Sequence, residues 1–287
     1  MPNYAERDKE ATAGIYVPMW KIDHIDLDTF DSYWGNGHGP VCARLPLLYQ
    51  CWHIRVHHNH GDIWPAIDGV ITTSTPEENF DSIAELTFKS IEDLAPYGKV
   101  GAEYLGDDEP NFVRRTIPHP AVPITYYDEI ENPAPTWETE YDKFRIILRK
   151  QDKVNLTDFH QWLQVTFAPQ LAKSAPVVKV RLSLLQPSPV TVDVVPPIQA
   201  AMEVAFKNRT ALRTYLASDE YKSVTAGISQ YVKSFQVYPE RARSTILYNG
   251  EVTLAGVRGL SSALAIEKVG AINQTRDNIT ELMLKRV

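Results

Sequence analysis

The chain of 287 residues is 44% hydrophobic and 23% charged, and its formal net charge is -7. This length predicts two domains or one large one, with enough chain to bury a substantial core. An acidic balance without any basic block argues against nucleic acid and anionic membrane surfaces as partners. A neutral small molecule is the partner that the composition favours.

The start of the chain, residues 1–10, is charged and has no apolar signal core. No later run approaches the roughly 20 apolar residues that span a bilayer. We therefore expect a cytoplasmic protein with no membrane partner. Cys42 and Cys51 are too few for a disulfide framework and lack the paired spacing of a zinc site, so both are predicted to be buried free thiols.

Residues 26–46 are predicted to form a helical segment that carries the first candidate functional residue. Asp26 is a suitable N-cap, and Pro46 marks the end of the segment. His38 follows one turn after Trp34, among apolar and small residues. An imidazole in this setting can exchange protons near neutral pH. The alternative interpretation is a core histidine that is satisfied by a backbone carbonyl.

The next two predicted strands supply further candidates through the alternation of their side chains. In residues 51–57 the apolar set, which includes Trp52, is expected to meet the helices. The opposite face then points into a cavity with His53, Arg55 and His57. In residues 82–88 the same argument places Glu85 and Thr87 on the cavity side.

A dense cluster of imidazoles surrounds the end of the first of these strands. Its members are His53, His57, His58, His60 and Asp62. Imidazole and carboxylate ligands suit a divalent metal. Strand alternation nevertheless sends His57 and His58 to opposite sides, and the cluster runs into a predicted turn. A solvated loop is therefore favoured, and no metal is predicted.

The chain also contains a weak internal repeat. Residues 26–34 align with residues 155–163, and this alignment places Phe167 opposite His38. Each half follows the order βαββαβ, which is the ferredoxin-like split βαβ unit. Two such units can pack sheet to sheet and enclose a cavity, so we predict an α+β pseudo-dimer.

The repeat also sets the predicted domain boundaries. Residues 1–137 form the first, active repeat, and residues 138–287 form a degenerate second repeat with a C-terminal helical extension. Within the second repeat Glu203 keeps the place of Glu85. The proline-rich stretches 117–135 and 186–197 are predicted to be connections rather than central strands, because proline lacks a ladder donor. The helix predicted at residues 260–269 is expected to pack over one barrel end.

Two motifs carry a family resemblance. Phe30-x-x-Tyr-Trp-x-x-x-His38-Gly-Pro and the strand around Glu85 together resemble the EthD family of dimeric α+β-barrel proteins. The resemblance covers most of residues 12–120 and, in decayed form, residues 140–245. It implies relatives that include fungal polyketide dehydratases, a component of alkyl-ether degradation, and cofactor-free oxygenases or isomerases. This chain departs from a simple member because it is a tandem fusion that has lost the histidine from its second copy.

These residues together predict a proton-transfer site in the first half. His38 is expected to remove or deliver a proton, and Glu85 to orient it or act as the complementary acid. Arg55, His53 or Tyr33 is expected to stabilise an enolate-like oxygen. The predicted substrate-binding residues are Tyr33, Trp34, His53, His57 and Thr87. The alternative for Glu85 and Arg55 is a structural ion pair.

The leading functional prediction is a cofactor-independent lyase of the dehydratase type. Its substrate is predicted to be a hydrophobic, oxygenated molecule of aromatic or polyketide-like character. A cofactor-free monooxygenase and a non-catalytic ligand-binding or assembly protein are the alternatives. No nucleotide cofactor is indicated, because residues 256–259 lack the third glycine of a dinucleotide fingerprint. Assembly into a homodimer is left open.

Overall fold

Strands and helices alternate along the chain in the computed structural model, which describes residues 6–128, 136–137, 141–190 and 192–284. The strands are β1 (Ala13–Lys21), β2 (Gln50–Val56), β3 (Ser82–Phe88), β4 (Val113–Thr116), β5 (His119–Asp128), β6 (Thr136–Trp137), β7 (Asp142–Lys150), β8 (Val177–Leu185), β9 (Ala200–Phe206), β10 (Val232–Tyr248) and β11 (Glu251–Val252). The α-helices are α1 (Leu27–Tyr33), α2 (Gly39–Cys42), α3 (Leu94–Leu105), α4 (Leu156–Trp162), α5 (Ala168–Ala172), α6 (Arg209–Leu216), α7 (Asp219–Thr225), α8 (Leu254–Arg258), α9 (Leu260–Lys268) and α10 (Asp277–Leu284).

Eight strands of the described ranges close into a barrel. Their order is β1-β3-β2-β10-β7-β9-β8-β5, and β5 returns to pair with β1. All of these pairings are antiparallel. The long strand β10 joins the two halves, because its first part pairs with β7 and its second part pairs with β2. The predicted α+β barrel is confirmed, and closure leaves few exposed sheet edges.

The same order of elements occurs on both sides of the barrel. β1, α1, α2, β2, β3, α3 and β4 correspond in order to β7, α4, α5, β8, β9, α6 with α7, and β10. In each half a π-helical segment joins the two short helices, at Trp34–His38 and at Leu163–Phe167. The predicted cap Asp26 accepts a hydrogen bond from the Thr29 N–H at 2.7 Å. The domain boundary at residue 137 falls beside residues outside the described ranges and stays a prediction.

The inside of the barrel has two chemically different layers. Register pairs Glu85 with Tyr16 and Trp52 on one side, and Glu203 with Arg145 and Arg181 on the other. We call eight charged residues with buried side chains at this level the charged layer: Arg7, Asp8, Glu85, Arg145, Arg181, Glu203, Glu240 and Arg243. Above it, one apolar cluster joins residues from opposite strands, which places the cluster inside the barrel: Trp20, Ile54, Phe80, Ile83, Ile117, Ile147, Ile198 and Tyr238.

One of the two predictions about connections is wrong, because residues 186–197 do connect β8 and β9 but residues 117–135 are not a connection throughout. The residues from His119 onward form the barrel strand β5 rather than a linker. This strand tolerates its prolines because it pairs with β1 only over His119–Ala121 and pairs with β8 beyond that point. The part of the proposed linker at residues 129–135 lies outside the described residues.

The C-terminal helix α9 was predicted to cover a barrel end, and it packs instead on the helix layer. Its Ser261 N–H donates to Asn36 Oδ1 at 2.7 Å, and the Asn36 amide donates to Ser261 Oγ at 3.0 Å. This contact fixes α9 against the Trp34–His38 segment, because Asn36 Oδ1 accepts from one of the N–H groups that have no partner within the first turn of α9. Throughout the described ranges, every helix is too short or too polar to cross a membrane.

Candidate active site

The His38 side chain is held by a carboxylate on the outer face of the sheet. His38 is buried and ends the π-helical segment, a type of distortion that is frequent at functional sites. Its Nδ1 lies 2.7 Å from Asp108 Oδ2, and the Tyr33 hydroxyl donates to the other oxygen of Asp108. An ionised carboxylate only accepts hydrogen bonds, so Nδ1 is the donor in this pair. We call Tyr33, His38, Asp108 and Phe112 the His38 cluster.

Aromatic packing fixes the surroundings of this cluster. The His38 ring lies 5.0 Å from the Phe112 ring, and the Trp34 ring stacks on His53 at 4.0 Å. A Cβ at Gly39 would meet His53 Cε1 and the Trp34 carbonyl at 3.2 Å each, so glycine is what lets the helix lie this close to the sheet. Burial holds the pKa of His53 well below its usual range, and His53 is a neutral packing partner.

Glu85 lies on the opposite face of the sheet from His38, so the predicted pairing of the two in one cavity is wrong. The barrel interior contains Glu85, whereas α1 lies outside. Glu85 Oε1 accepts from Arg7 at 2.8 Å and also from Arg181, and its Oε2 lies 3.4 Å from Arg145. Burial alone would raise the pKa of Glu85, but the three guanidiniums lower it to about 2. Glu85 is thus a permanent anion at neutral pH.

His53 and Arg55 were predicted to share a face with Glu85, and this prediction is also wrong. Register sets Trp52 beside Glu85, so His53 and Arg55 point outward to α1. Arg55 Nε lies 3.3 Å from Asp31 Oδ1, which excludes the alternative ion pair with Glu85 as well. The physical reason is that the closed barrel encloses the apolar set of β2, while the helices supply carboxylates to its polar set.

The remaining predicted residues are dispersed. Thr87 is buried on the inner face, and its hydroxyl has no hydrogen-bond partner within the described part of the chain. His57, His58, His60 and Asp62 border a surface cavity of about 570 Å³, together with Lys21 and Arg241. Across the described ranges no group of three or more His, Cys, Asp or Glu side chains is placed to hold a metal ion.

The charged layer closes the lower end of the barrel. The 3₁₀ turn Glu6–Asp8 enters this end, where the Asp8 carboxylate lies 2.9 Å from Arg181 Nε and the Arg7 carbonyl accepts from the Gln50 amide at 2.7 Å. Glu203 contacts Arg145 at 3.2 Å and also Arg243. Carboxylates and guanidiniums of the charged layer thus pair with one another across this half of the barrel.

The upper end of the barrel holds a cavity of about 310 Å³, which we call the barrel-end cavity. Aromatic and aliphatic side chains from opposite strands form most of its wall. The loop between β8 and β9 covers it with prolines and valines. Both halves of the chain contribute, so the cavity does not belong to the first half alone. Its principal lining residues are Trp20, Phe80, Ile117, His119, Ile147, Arg149, Val192, Val195, Ile198, Gln236 and Tyr238.

His119 is the histidine in this lining, and it is not among the residues predicted from the sequence. Its Nδ1 lies 3.4 Å from the Gln186 carbonyl, which leaves Nε2 as the unprotonated nitrogen of a neutral ring. Burial lowers the pKa of His119 to about 4. Ile117, His119 and Ala121 alternate along the chain, and this alternation was the available signal that they share the inner face of a strand. The prolines between them made the segment look like a connection instead.

An ion pair between Glu78 and Arg149 borders the same cavity. Arg149 contacts Glu78 Oε1, while the Thr75 N–H and the Gln236 amide donate to Oε2 at 2.7 and 3.1 Å. Burial opposes ionisation, but the Thr75 hydrogen bond and the Arg149 charge hold the pKa of Glu78 below its usual value. Among the described residues, Arg149 Nε and the Trp20 indole N–H have no hydrogen-bond partner. Two donors next to the cavity are therefore unused.

The fold defines a closed barrel of the dimeric α+β type, with ferredoxin-like order in each half. Residues 22–116 match the model of the EthD domain, and the family resemblance predicted from the sequence is confirmed over that segment. The matched segment contains His38, Glu85 and Asp108 but ends before His119.

Solved structures with a similar fold cover most of the chain. An anthrone oxidase-like protein has 7% identity and a TM-score of 0.51, and the match covers 85% of this chain and 96% of that one. A "putative monooxygenase" from Lactobacillus acidophilus NCFM has 10% identity and a TM-score of 0.46, with coverage of 84% and 98%. At these identities the likeness concerns the fold alone. No curated protein matches the chain.

Proposed function

We propose that the chain is an enzyme that transfers protons on a hydrophobic, oxygenated small molecule held in the barrel-end cavity. The observation that carries this proposal is His119, a buried imidazole in a largely apolar lining. Its lowered pKa keeps the ring neutral at physiological pH, so that Nε2 is free to accept a proton. His38, the residue predicted from the sequence, is not among the lining residues of the barrel-end cavity.

Loss of water from a β-hydroxy carbonyl compound is the reaction that needs only these groups. His119 removes a proton from the carbon beside the carbonyl, while Arg149 donates to the oxygen that becomes negative. The imidazolium then returns the proton to the leaving hydroxyl. One C–H bond and one C–O bond break, a C=C bond forms, and water leaves. The low pKa of His119 makes its imidazolium a good acid for the second step.

We also propose that the two halves are copies of one unit, with residues 1–137 and 138–287 as the domains. The matching element order and the π-helical segment in each half support this division. Glu85 and Glu203 occupy equivalent positions in the alignment of the two halves, and both lie in the charged layer. The second copy has Phe167 where the first has His38, so it has no counterpart of the His38 cluster.

The test uses the aldol adduct of benzaldehyde and acetone, which yields benzalacetone on loss of water. His119→Asn should reduce the rate at least about a hundredfold, because general acid–base groups contribute on that order. His160→Asn is the matched control, since His160 is also buried and also lies against a backbone carbonyl, at 2.8 Å from that of Gln199. An unchanged rate in His119→Asn contradicts the assignment.

Assays of anthrone turnover in air and under nitrogen distinguish the proposed lyase from the alternative, a cofactor-free monooxygenase. Turnover of anthrone that disappears under nitrogen, without any loss of water from the aldol adduct, would replace the lyase with an oxygenase. Binding of the neutral dye N-phenylnaphthylamine is measured in parallel. A wild-type protein that does not bind this dye overturns the proposed use of the cavity itself.

A further inference from the structure

A second cavity adjoins the barrel-end cavity on its outer side. It has a volume of about 470 Å³, and we call it the outer cavity. Glu78, Arg149, Pro196 and Pro197 line both cavities, so the two cavities lie next to each other. A molecule that passes between these side chains would occupy both cavities.

The outer cavity differs from the inner one in its polarity. Its wall carries three cationic and two anionic side chains, together with several hydroxyls: Arg149, Lys150, Lys233, Glu78, Asp152, Thr73, Ser74, Thr75 and Ser234. The inner wall is mostly aromatic and aliphatic by contrast. The pair of cavities thus has an apolar end and a polar end.

The cationic excess of the outer cavity comes from Lys150. Arg149 is paired with Glu78, and Lys233 lies 2.8 Å from Asp152. The Lys150 ammonium donates to the Gln151 carbonyl at 3.4 Å and has no carboxylate partner in the described ranges. The Ser234 hydroxyl, on the same wall, is buried and has no hydrogen-bond partner there. An anionic group would satisfy both, in a protein whose formal net charge is -7.

We propose that the ligand of the barrel is an amphipathic anion, whose aromatic body fills the barrel-end cavity and whose carboxylate, or equivalent anionic group, lies beside Lys150 and Arg149 in the outer cavity. This proposal rests on the proposed function, because it names the substrate class of the same site. The Arg149 Nε–H, which has no partner among the described residues, points to the same assignment. Arg149 would then touch the ligand at the junction of its two parts.

The experiment compares two dyes that share one ring system and differ in one charge. Anilinonaphthalene sulfonate is the anion, and N-phenylnaphthylamine is the neutral counterpart. Dissociation constants for the full-length protein are measured by fluorescence for the wild type, Lys150→Gln and Lys153→Gln. Lys153 is the matched control, because it is exposed three residues away and lies outside the lining of the outer cavity. Ile147→Trp, which fills the inner cavity, should abolish binding of both dyes.

We expect the wild type to bind the sulfonate about tenfold more tightly than the neutral dye, since a hydrogen bond to a charged group contributes on that scale. Lys150→Gln should remove this preference without weakening the neutral dye, and Lys153→Gln should retain it. Equal affinity of the two dyes in the wild type, or a preference that survives Lys150→Gln, overturns the anion proposal. Failure of the neutral dye to bind the wild type overturns the proposed function instead.

Discussion

The two ends of the barrel interior are built on the same eight described strands, yet different side chains fill them. At the lower end, Glu85 and Glu203 are surrounded by guanidiniums, and the 3₁₀ turn at Asp8 closes the space. At the upper end, aromatic and aliphatic walls leave about 310 Å³ unfilled. An empty cavity lowers the free energy of unfolding, whereas a buried network of paired ions contributes little to it. The difference teaches that the same strands can enclose a filled, charge-paired interior at one end and an unfilled apolar one at the other.

The largest effect should follow from removing a carboxylate of the charged layer. Glu203→Leu leaves Arg145 and Arg243 without a principal partner, and we expect a loss of about 3–5 kcal/mol in the free energy of unfolding. Urea denaturation measures it. Asp219→Asn breaks an exposed pair with Lys222 and should have no measurable effect. A Glu203→Leu protein as stable as the wild type would remove the structural role of the lower end.

The two ends of the barrel should contribute differently to the pH dependence of the free energy of unfolding. The folded-state pKa of His119, about 4, lies below the ordinary value of 6.5, so the unfolded chain binds the extra proton first. Stability is therefore lost as the pH falls, by about 2 kcal/mol between pH 7 and 5 from this residue. Glu85, with a pKa of about 2, contributes stability that persists until the pH falls below its ordinary value of 4.5.

The comparison that checks this prediction is the pH dependence of urea denaturation for the wild type and His119→Asn. The variant should lose less stability on acidification, because the group with the lowered pKa is gone. An identical pH dependence in both proteins would mean that His119 titrates alike in the folded and unfolded states. In that case the cavity is wetter than its lining indicates, and the contrast between the two ends weakens.

The sequence was sufficient for the order of strands and helices, because that order follows from local patterns. The cap at Asp26 and the placement of β3 around Glu85 follow from hydrogen-bonding side chains and period-two alternation. These patterns do not show which face of a strand points into the barrel. Both faces of β2 are buried, one inside the barrel and one beneath the helices. The polar character of His53 and Arg55 therefore led to the wrong prediction of the face that points into the barrel.

Long-range partners account for the other errors. Arg7 and Asp8 contact residues that are far away in the sequence, such as Glu85 and Arg181, and nothing local to residues 6–8 indicates entry into a barrel. His119 was overlooked because prolines flank it, although β5 pairs with different neighbours along its length. Asp108, the partner of His38, follows 70 residues later and has no motif of its own.

The smallest effect is expected for His38→Phe, which gives the first half the residue that the second half has at Phe167. The π-helical segment is present in both halves, so the fold should tolerate the ring, and Asp108 would retain its hydrogen bond from Tyr33. We expect a loss of about 1 kcal/mol for the hydrogen bond to Asp108, measured by urea denaturation, and no change in dye affinity. Turnover of the aldol adduct should also persist, because His38 lies on the outer face of the sheet. Lost turnover with intact stability and dye binding would move the chemistry out of the barrel and back to the His38 cluster.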